Sequence, residues 1–200
     1  QRPAVPVTAG AYVAQRDLFV ATVGPFAAAV GNDLVEISPA SGAVGRRVYV
    51  GSTPNVLAVS DDGLVAYVGL LDTNQIVQVD LLTFTVVRTF TTYVNEFNGW
   101  AGIARDIAVQ PGRNDTIVVS LMVRNLSPSF DRVMAFRDGV ALANYIDSGA
   151  IAEIEMLDPS TVVGEGPHAT SAPPHPGHTR LPLTPPPAHH SSPHRPPRLR

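Results

Sequence analysis

A short segment of this chain returns 42 residues later. Asn32-Asp33-Leu34-Val35-Glu36-Ile37 matches Asn74-Gln75-Ile76-Val77-Gln78-Val79, with apolar residues at the same three places. Asp131-Arg132-Val133-Met134-Ala135-Phe136 is a weaker third copy. Leu57-Ala58-Val59-Ser60-Asp61-Asp62-Gly63 parallels Ile107-Ala108-Val109-Gln110-Pro111-Gly112, 50 residues later, and Tyr93–Gly102 reads as the loop insertion that lengthens this second period. A unit of about 40 residues holds one small sheet, which cannot bury its faces alone, so copies must stack.

Within each period lie short runs rich in Val, Ile, Leu, Phe or Tyr, parted by Gly, Pro, Asn, Asp and Ser. They are Leu18–Val23, Asp33–Ser38, Arg46–Val50, Asn55–Ser60, Leu64–Leu70, Gln75–Asp80, Phe84–Phe90, Asp106–Gln110, Thr116–Met122, Arg132–Arg137 and Val140–Tyr145. Runs of this length and composition predict strands. No segment before residue 148 carries a sustained helical period, and periodicity leaves open whether Ala150–Leu157 is a short helix. Four strands per repeat is the geometry of a propeller blade. The expected fold is therefore all-β: a partial β-propeller of about two to three four-stranded antiparallel blades, with a disordered C-terminal tail. Residues 1–10 are expected as an N-terminal extension, 11–147 as the partial propeller, 148–164 as a transition segment and 165–200 as the tail. One continuous sheet is predicted for Asn55–Ser60, Leu64–Leu70, Gln75–Asp80 and Phe84–Phe90.

Composition divides the chain at the same place. All six His fall between His168 and His194, and 11 of the 19 Pro lie at or after Pro167. Pro removes ladder donors and apolar residues are scarce there, so the tail from about Gly166 is expected to pack against nothing. Three origins fit it: a Pro-rich linker, a ligand for Pro-binding modules, or out-of-frame reading of GC-rich DNA, which the abrupt loss of the repeat favours. Residues 1–160 carry 10 Arg against 16 acidic residues, whereas 161–200 carry four Arg against Glu165 alone. A mildly acidic body gives no electrostatic footprint for nucleic acid. There is no Cys, hence no disulfide or thiol nucleophile. The longest apolar stretch, Leu18 to Gly31, is interrupted by Pro25 and too short to span a bilayer. The chain begins at Gln1 rather than Met, so a longer natural product is expected.

Gly51-Ser52-Thr53-Pro54-Asn55-Val56-Leu57-Ala58-Val59-Ser60-Asp61-Asp62-Gly63, then Ala66-Tyr67-Val68-Gly69, then Asn74 to Asp80, resembles the YVTN-type repeat of surface-layer and lactonase-like seven-bladed propellers. Asp61 stands where that pattern has Pro, and Val68-Gly69 where it often has Thr-Asn. The match is good over residues 32–90, partial over 11–31 and 103–145, and absent after about 150. The resemblance implies a β-propeller of an extracellular or cell-surface protein, with the periplasm as an alternative. It implies little about activity, because propellers host unrelated functions.

Candidate chemistry is sparse. Asp61-Asp62-Gly63 reads as a hairpin turn before it reads as a cation loop. Asp72, Asp80 and Asp138 are either inward-facing acids or turn caps. Asn114-Asp115-Thr116 and Asn125-Leu126-Ser127 match the glycosylation pattern, and His189, His190 and His194 form only a weak metal-binding tract. Trp100 and Phe97, in the insertion, are the candidate loop contacts for a protein or carbohydrate ligand. No catalytic, cofactor-binding or metal-ligating set can be named. The leading expectation is a non-enzymatic binding or scaffold module of a larger secreted or cell-surface protein. Its partners are a ligand on the propeller face and either further blades or copies of itself. A fragment of a lactonase-like hydrolase is the alternative, and a quinoprotein-like propeller a weaker one.

Overall fold

The computed structural model describes residues 5–94, 99–124, 129–146, 151–165 and 177–180. Every predicted run is a strand. The first sheet holds β1 (Val7–Val13), β2 (Leu18–Val23), β3 (Asp33–Ile37) and β4 (Val44–Tyr49). The second holds β5 (Pro54–Val59), β6 (Val65–Leu70), β7 (Gln75–Asp80) and β8 (Thr85–Thr91). The third holds β9 (Ile103–Val109), β10 (Thr116–Met122), β11 (Phe130–Arg137) and β12 (Val140–Ile146). In each sheet strand order follows chain order and neighbours are antiparallel, so the sheet predicted from the 42-residue repeat forms as expected.

Three expectations need correction. Residues 1–10 are not simply an extension, because β1 starts at Val7 and pairs with β2 from Val7↔Val23 to Val13↔Leu18. Its small residues hide the strand pattern, and pairing decides it. The short helix left open over Ala150–Leu157 gives way to β13 (Glu153–Asp158), which forms a hairpin with β14 (Thr161–Glu165). Ile154 and Met156 alternate with Glu153 and Glu155 and are buried against the third sheet, a period of two over too few residues to stand out. The tail is not wholly without contacts either: β15 (Gly177–Arg180) pairs with Thr161–Gly164. An open strand edge offers backbone donors and acceptors to any extended segment, whatever its composition. Among the described residues the chain thus forms three four-stranded blades and a three-stranded fourth sheet.

The alternation of each strand assigns its two faces to two different cores. Leu34 faces the second sheet, its repeat counterpart Ile76 faces the third, and Val133 faces the fourth. Val77 and Val79 turn back to the first sheet, and Met134 and Phe136 to the second. Strands β1, β5, β9 and β13 touch in succession, so they are the inner strands of an arc. Because each sheet repeats the same order, the tight turns β1–β2, β5–β6, β9–β10 and β13–β14 gather on one rim. The connections β2–β3, β4–β5, β6–β7, β8–β9 and β10–β11 gather on the other.

Candidate functional site

The turn rim is stitched from blade to blade. Gln15 Nε2 donates to the Asp61 carbonyl, Gly112 N to Asp61 Oδ2 at 3.2 Å, Asn114 Nδ2 to Asp62 Oδ2 at 2.5 Å, and Gln110 Nε2 to the Pro159 carbonyl at 2.6 Å. Asp62 Oδ1 also accepts from Ser60 Oγ (2.7 Å) and Leu64 N (3.0 Å). Burial raises the Asp62 pKa, but the bonds from Asn114, Ser60 and Leu64 outweigh it and hold the carboxyl below its ordinary value. The Asp61-Asp62-Gly63 segment is thus a turn whose carboxylates carry inter-blade bonds. The Asn114 amide is committed to Asp62, and Asn125 lies outside the described residues.

The acids considered from sequence do not converge. Asp80 caps the β7–β8 turn through Leu82 N (2.7 Å) and Thr83 N (2.8 Å), and Asp138 pairs with Arg88 at 3.4 Å across the turn rim. Asp72 lies on the opposite rim. It accepts from Thr53 Oγ1 and from Arg124 Nη2 at 2.9 Å, which lower its pKa in that order. Thr53 N donates in turn to Asn32 Oδ1 at 2.9 Å, so three blades are joined on this rim. Thr53 holds φ +54° to do so, a strained backbone for a β-branched residue.

The inner strands border an open groove of about 690 Å³, lined among others by Asn55, Arg105, Asp106, Glu153 and Glu155. Sequence reasoning passed over these residues, since only the arc brings β9 and β13 together. Asp106 is committed to structure: Oδ1 accepts from Ile107 N (2.9 Å) and Oδ2 from Ile154 N (2.8 Å). Burial nevertheless pushes its carboxyl pKa up, against the pull of those two amides. Among the described residues no three His, Cys, Asp or Glu could hold a metal ion.

The loop rim carries the candidate residue of the insertion. Trp100, the only tryptophan, is exposed beside the bridge Val94↔Ala101 that closes the insertion. Phe97 lies outside the described residues. Next to this bridge Arg132 stacks between two tyrosines, 4.3 Å from the Tyr93 ring centroid and 4.7 Å from that of Tyr145. Gly102 makes room for the arrangement, because a Cβ there would lie 2.5 Å from the Tyr93 ring. Trp100, Val94 and Tyr145 are all about half exposed. Tyr93, Arg132 and Tyr145, which no sequence pattern flagged, lie on the same rim as Trp100.

Three four-stranded blades, with inner strands in sequence along an open groove, decide the architecture. This chain is an arc of a β-propeller. No family model matches it, and no curated protein matches its sequence. Among solved structures it is similar to the WD40 repeats of RRP9, with a TM-score of 0.63 at 14% identity over 83% of this chain and 46% of that one. It is also similar to the Swd1 (Cps50) β-propeller domain of Myceliophteria thermophila, with a TM-score of 0.61 at 15% identity over 82% of this chain and 55% of that one. The arc therefore spans about half the length of these propellers. At such identity the likeness concerns the fold.

Proposed function

We propose that this arc is a non-enzymatic binding or scaffold module whose contact surface is the loop rim around Trp100, and that its ligand is a protein. The observation that supports this most directly is the half-exposed patch of Trp100, Tyr145 and Val94 around the Tyr93–Arg132–Tyr145 stack. Trp, Tyr and Arg are the residues that dominate protein–protein hot spots, and rigid packing lowers the entropy lost on binding. A sugar would need open aromatic faces, and Arg132 covers one face of each tyrosine. WD40 propellers are the structural neighbours, which fits a scaffold built to present loops. A place in a secreted or cell-surface protein of the YVTN type goes with this reading and rests on the Gly51–Asp80 motif alone.

Trp100 makes the test direct, because its fluorescence is the only indole signal. A photo-crosslinking residue at position 100 should capture a discrete protein, and the same residue at Leu82 on the turn rim should not. Arg132→Ala should weaken that capture tenfold or more, the order expected for a hot-spot truncation. Binding of oligosaccharides that shifts Trp100 emission, with no protein captured, would overturn the protein assignment.

A further inference from the structure

We propose that Arg132 reads a carboxylate on the protein ligand. The ligand enters by a segment that sets an Asp or Glu against the Arg132 guanidinium and an apolar side chain against Trp100. This assignment rests on the loop rim being a protein-contact surface, and it names the chemistry of the partner.

Register across the blades singles this arginine out. The third strands align Asp33, Gln75 and Arg132. Their outer neighbours align Arg47, Thr89 and Tyr145, through the pairs Val35↔Arg47, Val77↔Thr89 and Met134↔Tyr145. In the first blade the position holds an acid beside its own cross-strand cation, with Asp33 and Arg47 3.8 Å apart. In the third blade the charge is reversed and the cross-strand neighbour is a ring. The Arg132 guanidinium lies 4.7 Å from the Tyr145 ring centroid and 4.3 Å from that of Tyr93. Met134, two residues on, joins the core shared with the second sheet. Arg132 therefore stands at the seam between the second and third blades. Gly102 lies under the Tyr93 ring, and Trp100 stands two residues before it, the spacing that returns a side chain to one face of an extended segment.

Stacking on two rings engages the π faces of a guanidinium, whereas its N–H donors lie in its plane, at the edge. A fork held in one plane matches the two oxygens of a carboxylate and loses little entropy on binding one. Among the described residues the connections at this seam carry Asp72 and Arg124, which pair at 2.9 Å. With Arg132 the seam holds two cations against one anion. A long polyanion does not suit the body around it, where residues 1–160 carry 16 acidic residues against 10 Arg. One carboxylate with an apolar neighbour does, because Trp100 and Val94 stay half exposed to receive that neighbour.

The probe is a set of blocked hexapeptides in which Leu or Phe adjoins Asp or Glu, matched to peptides with Asn or Gln in place of the acid. Binding to the full chain is read by Trp100 fluorescence. The acidic peptides should shift the emission, and their amide counterparts should bind roughly tenfold or more weakly. Raising salt from about 50 to about 500 mM should weaken the acidic peptides alone. Arg132→Lys keeps the charge and loses the fork, so it should cost roughly tenfold or more in affinity, with the circular dichroism spectrum and denaturation midpoint unchanged. Tyr145→Leu keeps apolar cover but unpins the guanidinium, and should also weaken binding. Equal affinity for acid and amide peptides, indifference to Arg132→Lys, or no binding up to about 1 mM would each overturn the proposal. Photo-crosslinking at position 100 separates it from the reading beneath it. A protein captured equally well by the unaltered chain and by Arg132→Lys would keep the rim as a protein-contact surface and remove the carboxylate.

Discussion

At the residue scale, two positions show how little room the blade contacts leave. Gly63 sits at φ +69°, and a Cβ there would lie 2.6 Å from Val13 Cγ1 and 2.9 Å from Gln15 Oε1 on the neighbouring blade. Gly63→Ala should therefore cost about 1–3 kcal/mol in chemical denaturation, from backbone strain and overpacking together. Tyr67 is buried between the second and third sheets and donates its hydroxyl proton to the Asn114 carbonyl at 2.5 Å. Burial first, and then the Asp115 charge, push its pKa up from 10.0 to about 12. The folded state therefore favours the neutral phenol. Its contribution is complete below pH 10.0 and is lost as pH rises toward about 12. A two-unit shift corresponds to roughly 2–3 kcal/mol. Tyr67→Phe should flatten the alkaline limb of the stability profile between those two values, read by denaturant midpoints at each pH. The turn at Asp61-Asp62-Gly63 was legible from the turn chemistry of Asp and Gly; the bonds from Gly112 and Asn114 to its carboxylates were not, because they come from another blade.

At the scale of elements, polar side chains fix how one strand meets the next blade. Glu36 on β3 accepts from Arg46 Nη2 at 2.6 Å and from Arg16 Nη2 at 2.9 Å. Both arginines reach on to the Leu81 carbonyl of the second sheet. The Arg46 hydrogen bond leads in holding the Glu36 pKa below its usual 4.5, with burial working against it. A lowered folded pKa gives stability that is present above 4.5 and is lost as pH falls through the folded value. Glu36→Gln should make the acid limb of the stability profile shallower and leave it unchanged near neutrality in slope. Asp106 does the corresponding work between β9 and β13. Asp106→Ala strands the Ile154 N–H, so exchange of amides in 153–165 should speed up at least tenfold while those of 54–91 stay protected. Equal protection in both segments would show that the side chain does not fasten the fourth sheet. Strand β13 itself escaped sequence reading because two buried residues, Ile154 and Met156, are too few to separate a period of two from a helical one.

For the whole molecule, each blade is stable only through its neighbours. The core between the second and third sheets joins Tyr67, Ile76, Ile107, Ile117, Leu121 and Phe136, and the Phe90 and Phe136 rings lie 5.6 Å apart. Phe136 is 1% exposed, and its truncation to Ala should cost about 3–5 kcal/mol. Since the sheets share cores in series, that loss should broaden or split the melt of the chain by calorimetry. A single sharp transition at merely lower temperature would mean that the arc unfolds as one unit.

The sequence by itself determined the strands of the first three blades other than β1, and their grouping. The repeat over Asn32–Ile37 and Asn74–Val79 carries apolar residues on both faces, and only sheets covered on both sides use such a pattern. That much is local chemistry plus periodicity, and it led to the blades. Tertiary structure decided the rest. The small residues of β1 pair because β2 lies alongside, β15 pairs because β14 has an open edge, and Arg132 finds Tyr93 and Tyr145 because a strand and an insertion from different blades meet on one rim. Contacts of that kind join residues some tens of positions apart, and no local pattern encodes which of many similar side chains the arc will bring together.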